Sequence, residues 1–182
     1  MTSEFIADFS LGSRWFSVLE TYGPRSFKTG SECFSVSFLQ KDAQRRLRLV
    51  LSLVLGSSAE VAIRFCDVAE MQEANLRFRG KNKPTDVLSF PPGPFASAEV
   101  PILGDILICL PVCYRQAREA RQSLSAEVER MMIHGVTHLL GYDHERSDMA
   151  WRVQTNLEKS LVRELVRALG KPSWCEVKAW KK

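Results

Sequence analysis

The sequence predicts one α+β domain, a small mixed four-stranded sheet packed against a central helix and flanking helices. Three observations predict it. The chain has 182 residues, 45% of them hydrophobic, which suits a single filled core with extensions at its ends. Apolar residues recur with periods of two and of 3.6 in the order strand, helix, strand, helix, two strands, then helices alone. All 3 histidines fall in one late segment whose apolar residues keep helical spacing.

Residues 1–32 show no clear periodicity and include Gly12, Gly23, Pro24 and Gly30, so they form an N-terminal extension. Phe5, Ile6, Phe9, Trp15 and Phe16 are available there for a short helix packed on the body. The domain itself is residues 33–170. Phe34-Ser-Val-Ser-Phe38 alternates cleanly and reads as its first strand. A helix follows from Asp42 to Leu55, with Leu47, Val50, Leu51 and Val54 on one face. Val61, Ile63 and Phe65 point to one side of a second strand, Glu60 to Phe65. Asp67 then caps a helix reaching Phe78. Arg79-Gly-Lys-Asn-Lys-Pro-Thr85 is a loop by composition. Asp86 to Phe90 is a short strand that Pro91 and Pro92 place at an edge. A surface loop leads to the fourth strand, Gly104 to Cys109, and Pro111 opens a helix to Gln122.

Ser125 is the expected cap of the histidine-bearing helix, with Glu127 and Glu129 near its positive end. Val128, Met132, Val136 and Leu139 form its buried stripe, with His134 and His138 at the margin. Gly135 falls on the buried side, where it lets another element come close. The last helix spans Ser147 to Leu169 on a stripe of Leu157, Leu161, Leu165 and Leu169, and Gly170 and Pro172 end it. Methionines 131, 132 and 149 read as core filler. Residues 171–182 are a short basic tail with Trp174 and Trp180.

The formal net charge of +4 suits an anionic partner without requiring one. No apolar run approaches the ~18 residues that span a bilayer. Glu4 and Asp8 precede any basic residue, which excludes a secretory leader. The expected location is the cytoplasm, with an organelle left open by the extension. The 5 cysteines, at 33, 66, 109, 113 and 175, are odd in number and lack Cys-x-x-Cys spacing, so reduced thiols are expected.

The chemistry concentrates in His134-Gly-Val-Thr-His138-Leu-Leu-Gly141-Tyr-Asp143-His144. The first two histidines are one helical turn apart, so their rings share a face. Gly141 can take φ > 0, end the helix and turn the chain, which brings His144 back towards them. Three neutral imidazoles with an open fourth position describe a catalytic rather than a structural zinc, one Zn²⁺ per chain. Roughly a million placements of three histidines are possible and only about 170 keep this spacing, so coincidence is a poor explanation. The spacing matches the metzincin metalloproteases at every position but one. Gly135 stands where they carry the glutamate base, so peptide cleavage lacks its proton acceptor.

A second constellation is Arg77, Arg79, Lys81 and Lys83, four cations in seven residues, broken by Gly80. Such a loop can hold phosphates, although a solvated charged loop is the plainer reading of this window alone. Lys41, Arg45, Arg46 and Arg48 on the first helix, and Arg115, Arg118 and Arg121 later, add further basic residues.

The stretches Asn75 to Pro91, Leu103-Gly-Asp-Ile106 and His134 to His144 together resemble the YbeY family of zinc-dependent endoribonucleases, over about residues 34–165. The chain departs from that pattern in its N-terminal extension and in Ala74, where the family usually has leucine. The resemblance implies cleavage of single-stranded RNA, maturation of the 3′ end of small-subunit ribosomal RNA, and ribosome quality control. It implies partners in the small subunit or its assembly factors. It also implies that His134, His138 and His144 are the zinc ligands and Arg79 the functionally critical arginine. Zinc would polarise a phosphoryl oxygen and acidify water, Arg79 would hold the scissile phosphate, and Lys81 and Lys83 would guide the strand. Asp143 is a candidate acceptor that orients a histidine, or else a turn residue. A metalloprotease and a non-catalytic, zinc-stabilised RNA-binding module are the competing readings.

Overall fold

The computed structural model describes residues 26–29, 32–38, 40–56, 59–93, 102–142, 147–173 and 175–180. In chain order the elements are β1 (Ser26–Thr29), β2 (Glu32–Phe38), α1 (Gln40–Leu55), β3 (Glu60–Cys66), α2 (Val68–Arg79), β4 (Val87–Phe90), β5 (Ile102–Cys109), α3 (Leu110–Glu119), α4 (Leu124–Leu139), α5 (Asp148–Leu169) and β6 (Cys175–Trp180).

The central sheet has the order β3-β5-β4, with β3 parallel and β4 antiparallel to β5. Its period-two alternation sorts side chains to two buried faces. Val61, Ile63, Phe65, Ile106 and Ile108 meet Leu47, Val50 and Leu51 of α1, Val128, Met132 and Val136 of α4, and Leu161 and Leu165 of α5. On the opposite face Cys66, Leu88, Leu107 and Cys109 meet Met71 of α2 and Val112 of α3. Helix α4 buries 11 of its 16 residues, from Leu124 to Thr137. A helix covered on nearly all sides is a central one; His134 and His138 lie half-buried at its margin, and Arg130 is exposed.

The expected four-stranded mixed sheet is corrected to a three-stranded one. The strand expected at Phe34 to Phe38 forms, as part of β2, but joins a separate antiparallel sheet of order β1-β2-β6. Alternation specifies a strand and not its partner. Only residues 30 and 31 separate β1 from β2, so this antiparallel pairing closes a very short loop, whereas a parallel pairing with β3 needs a long crossover. The tail supplies the other neighbour, with Val177 opposite Val36. Strand β1 thus lies within the span read as an extension, and β6 within the tail.

Smaller differences have equally local causes. Ser123, not Ser125, caps α4, its side chain accepting from the Ala126 N–H, while Ser125 is buried inside the helix. Arg79 is the last residue of α2 and not the first of the loop. Met131 and Met132 are buried as expected, but Met149 is 67% exposed. Cys66, Cys109 and Cys113 are free thiols, and the side chains of Cys33 and Cys175 lie outside the described residues. Arg46, counted among the basic residues of α1, is 2% exposed. Its guanidinium donates to Glu129 at 2.8 Å, to Asp42 at 3.2 Å and to the carbonyls of Leu169 and Gly170 at 3.1 and 2.7 Å. It therefore ties α1 to α4 and to the negative end of α5, and is unavailable to an outside anion.

Candidate metal centre and nucleic-acid interface

The one-turn spacing of His134 and His138 does what helical geometry requires. Their rings meet at an interplanar angle of 81°, and their Nε2 atoms lie 3.1 Å apart. Two imidazole nitrogens on one tetrahedral zinc, at Zn–N of about 2.0–2.1 Å, are separated by about 3.3–3.4 Å. The pair already stands close to that separation, so the donor set fits zinc. Helix α4 stops just beyond it. The Gly141 N–H donates to the His138 carbonyl and the Tyr142 N–H to the Thr137 carbonyl, with Gly141 at φ +88°. This pattern satisfies the last carbonyls and turns the chain out of the helix, as the glycine implied. Asp143 and His144 lie outside the described residues.

The other nitrogen of His134 is also engaged. Nδ1 lies 2.8 Å from Oε1 of Glu158 on α5. The same oxygen accepts from Gln154 Nε2 at 3.0 Å and lies 3.2 Å from the Thr137 hydroxyl. Burial alone would push the Glu158 carboxyl up. The hydrogen bond and charge of His134, with the hydrogen bonds of Gln154 and Thr137, outweigh burial and hold it below the ordinary carboxylate range. An ionised carboxylate only accepts, so Nδ1 donates to it, the arrangement in which Nε2 is the nitrogen turned towards a cation. Replacing Glu158 with alanine should weaken zinc binding by about 10- to 100-fold in a chelator competition while the protein stays folded. Unchanged affinity would deny Glu158 this part.

Facing the histidines is the segment between α2 and β4. Asn75, 2% exposed, anchors it at two points, its carbonyl accepting from the Lys81 N–H at 3.2 Å and its side-chain amide donating to the Lys83 carbonyl at 2.6 Å. Gln72 adds a bond to Asn82 at 2.9 Å. Arg79, Lys81 and Lys83 thereby line a cavity of about 880 Å³ whose opposite wall carries His134, His138, Leu139, Gly141 and Tyr142. The Ser89 hydroxyl bonds the Gly135 carbonyl at 3.3 Å and ties the β4 edge to α4 across that cavity.

Asp86 lies at the base of the same wall. Burial would push its carboxyl up, but hydrogen bonds from Gln116, the Val87 N–H and Thr85 prevail and hold it below the ordinary range. A depressed carboxyl stabilises the fold above its unfolded pKa of 3.8, and that contribution is lost as pH falls through the folded value. Asp86→Asn is therefore expected to be less stable than the wild type at neutral pH but to lose less on acidification to about pH 3. Urea unfolding at the two pH values measures the difference.

The structure thus brings together His134, His138, Arg79, Lys81 and Lys83, which lie far apart in sequence. It sets Arg77 apart, in a neighbouring cavity. Glu158, Gln154, Thr137 and Asn75 were not read from the sequence. For the first two the available signal is a polar pair four residues apart beside the Leu157 and Leu161 stripe of an otherwise ordinary amphipathic helix.

Paired imidazoles opposite a pinned basic loop in one cavity fit a metal-dependent phosphodiesterase. The family model for the endoribonuclease YbeY matches residues 27–165, and the chain belongs to that family of metal-dependent endoribonucleases. It is also similar to the solution structure of TM1509 from Thermotoga maritima, at 26% identity and a TM-score of 0.46, over 74% of this chain and 88% of that one. Among the described residues no helix is long and apolar enough to cross a membrane.

Proposed function

We propose that the chain cleaves single-stranded RNA in the cavity between α4 and the Arg79 to Thr85 segment, using one Zn²⁺ held by His134, His138 and His144. One observation carries the reading. The two Nε2 atoms and the cations of Arg79, Lys81 and Lys83 open onto the same space. Zinc supplies a Lewis acid for a phosphoryl oxygen and raises the acidity of water. The chain's residues do the rest. Glu158 keeps the His134 proton on Nδ1, and Asp143 is a further candidate acceptor for an imidazole. The planar Arg79 guanidinium holds the scissile phosphate in two-point contact and offsets charge that develops on it. Lys81 and Lys83 attract the flanking phosphates as point charges, so affinity falls with added salt.

The catalytic unit lies within residues 27–165, the span of the family match, and the physiological substrate is the 3′ end of small-subunit ribosomal RNA, met on the small subunit or with its assembly factors in the cytoplasm. That assignment rests on family membership and on the basic cavity. The test is end-mapping of fragments from single-stranded RNA, cut by the metal-quantified protein with and without a chelator. Chelation should abolish cleavage and zinc should restore it. Cutting that persists in the stripped protein would overturn the proposal.

A further inference from the structure

Phe78 breaks the burial logic of α2. Met71 and Asn75 turn inward at helical spacing, yet the Phe78 ring near the end of the helix is 59% exposed. It is held in place all the same. Phe90 of β4 meets it edge-on, with centroids 4.9 Å apart and planes at 70°, and the Arg77 guanidinium sits 5.3 Å from its centroid. A phenyl ring this exposed contributes little to the core, and its position fixes what it can meet. Phe78 and Phe90 both line the histidine cavity and also a second cavity of about 720 Å³, so the aromatic pair forms the ridge between them.

Charge changes sign across that ridge. Among the described residues on the histidine side, Arg79, Lys81 and Lys83 stand against one carboxylate, Asp86. On the other side Arg64 and Arg77 stand among Glu70, Glu73 and Asp105, with Arg64 in an ion pair with Glu70. A phosphate therefore belongs in the first cavity and is repelled from the second. What suits the second is a neutral planar group with donors and acceptors on its rim, attached to a phosphate across the ridge. A nucleobase has that form.

We propose that this second cavity is a nucleobase subsite. A base beside the scissile phosphate stacks on Phe78, and its edge faces the mixed donors and acceptors of Arg64, Glu73, Arg77 and Asp105. The proposal rests on the nuclease reading and deepens it. A base reaches Phe78 only after leaving its own stack and pair, an expense far smaller in a single strand than in a duplex. The subsite thereby selects single-stranded RNA across the ridge from the histidines.

The test is a cycle between protein and substrate. Metal-loaded wild type, Phe78→Ala and Phe78→Trp are compared on short single-stranded RNAs carrying one abasic nucleotide at successive positions. Base–aromatic stacking corresponds to roughly 5- to 150-fold, so Phe78→Ala should lower kcat/KM on intact RNA by that factor. At one abasic position beside the cleaved bond the wild type should lose as much, and there Phe78→Ala should cause no further loss. Phe78→Trp, which restores a stacking face, should recover cleavage of intact RNA. Penalties that multiply at every position would overturn the subsite alone, and so would a Phe78→Ala enzyme as fast as wild type on intact RNA. Absence of cleavage by the wild type would overturn the nuclease reading along with it.

Discussion

Replacing His138 with alanine is expected to give a folded protein that neither keeps zinc through dialysis nor cleaves RNA. His138 sits at the margin of α4, outside the buried stripe, so the core of Val128, Met132 and Val136 is untouched. Structural zinc sites bind with about 10–16 kcal/mol spread over four ligands, so one lost ligand costs on the order of 2.5–4 kcal/mol, or roughly 70- to 900-fold in affinity. Arg79→Ala should behave differently. It leaves the imidazoles alone and removes a charge from the phosphate side of the cavity, so zinc content stays at one per chain while kcat/KM falls by roughly 10²- to 10³-fold. Zinc quantification beside cleavage of a labelled single-stranded RNA separates the two signatures. A His138→Ala protein that retains zinc would remove that residue from the centre.

Gly135→Glu should largely unfold the protein. The substitution restores the one position at which the helix departs from a metalloprotease, so it asks whether only a base is missing. It is not, because a Cβ at Gly135 would lie 2.8 Å from both Cδ1 and Cγ2 of Ile106. Ile106 is 1% exposed in the middle strand of the sheet and has nowhere to move. Overpacking of this kind costs about 1–3 kcal/mol, of which a gain of about 1 kcal/mol in helix propensity offsets part in Gly135→Ala. A carboxylate forced against Ile106 adds several kcal/mol more, a large share of a total stability of about 5–15 kcal/mol. Thermal unfolding of the alanine and glutamate variants measures both steps. A cooperatively folded Gly135→Glu protein that cleaved peptides would restore the protease reading.

Much of the site was legible because it is local. Spacing alone aligned His134 with His138, and the positive φ of Gly141 was implied by the need to leave the helix. Asp67 was readable as a cap because its partner, the Glu70 N–H, is three residues away. What escaped depends on distant partners. Glu158 lies 24 residues beyond His134 and looks like any charge on α5 until the two helices pack. Arg46 resembled its basic neighbours, although its spacing from Ala43 and Val50 places it on the buried stripe, where a charge must be paired. The partner of β2 could not be read from alternation, because the tail and the preceding segment compete for the same strand with shorter loops or equal patterning. Ser123 and Ser125 differ only in which of them precedes the first buried leucine, Leu124.

Zinc-edge X-ray absorption on the purified full-length protein tests the centre most directly, because it counts ligands without reference to activity. Three imidazole nitrogens at about 2.0–2.1 Å and one oxygen from solvent are expected, with no sulfur in the shell. A shell with thiolate sulfur at about 2.3 Å, or with only two imidazoles, would contradict this expectation.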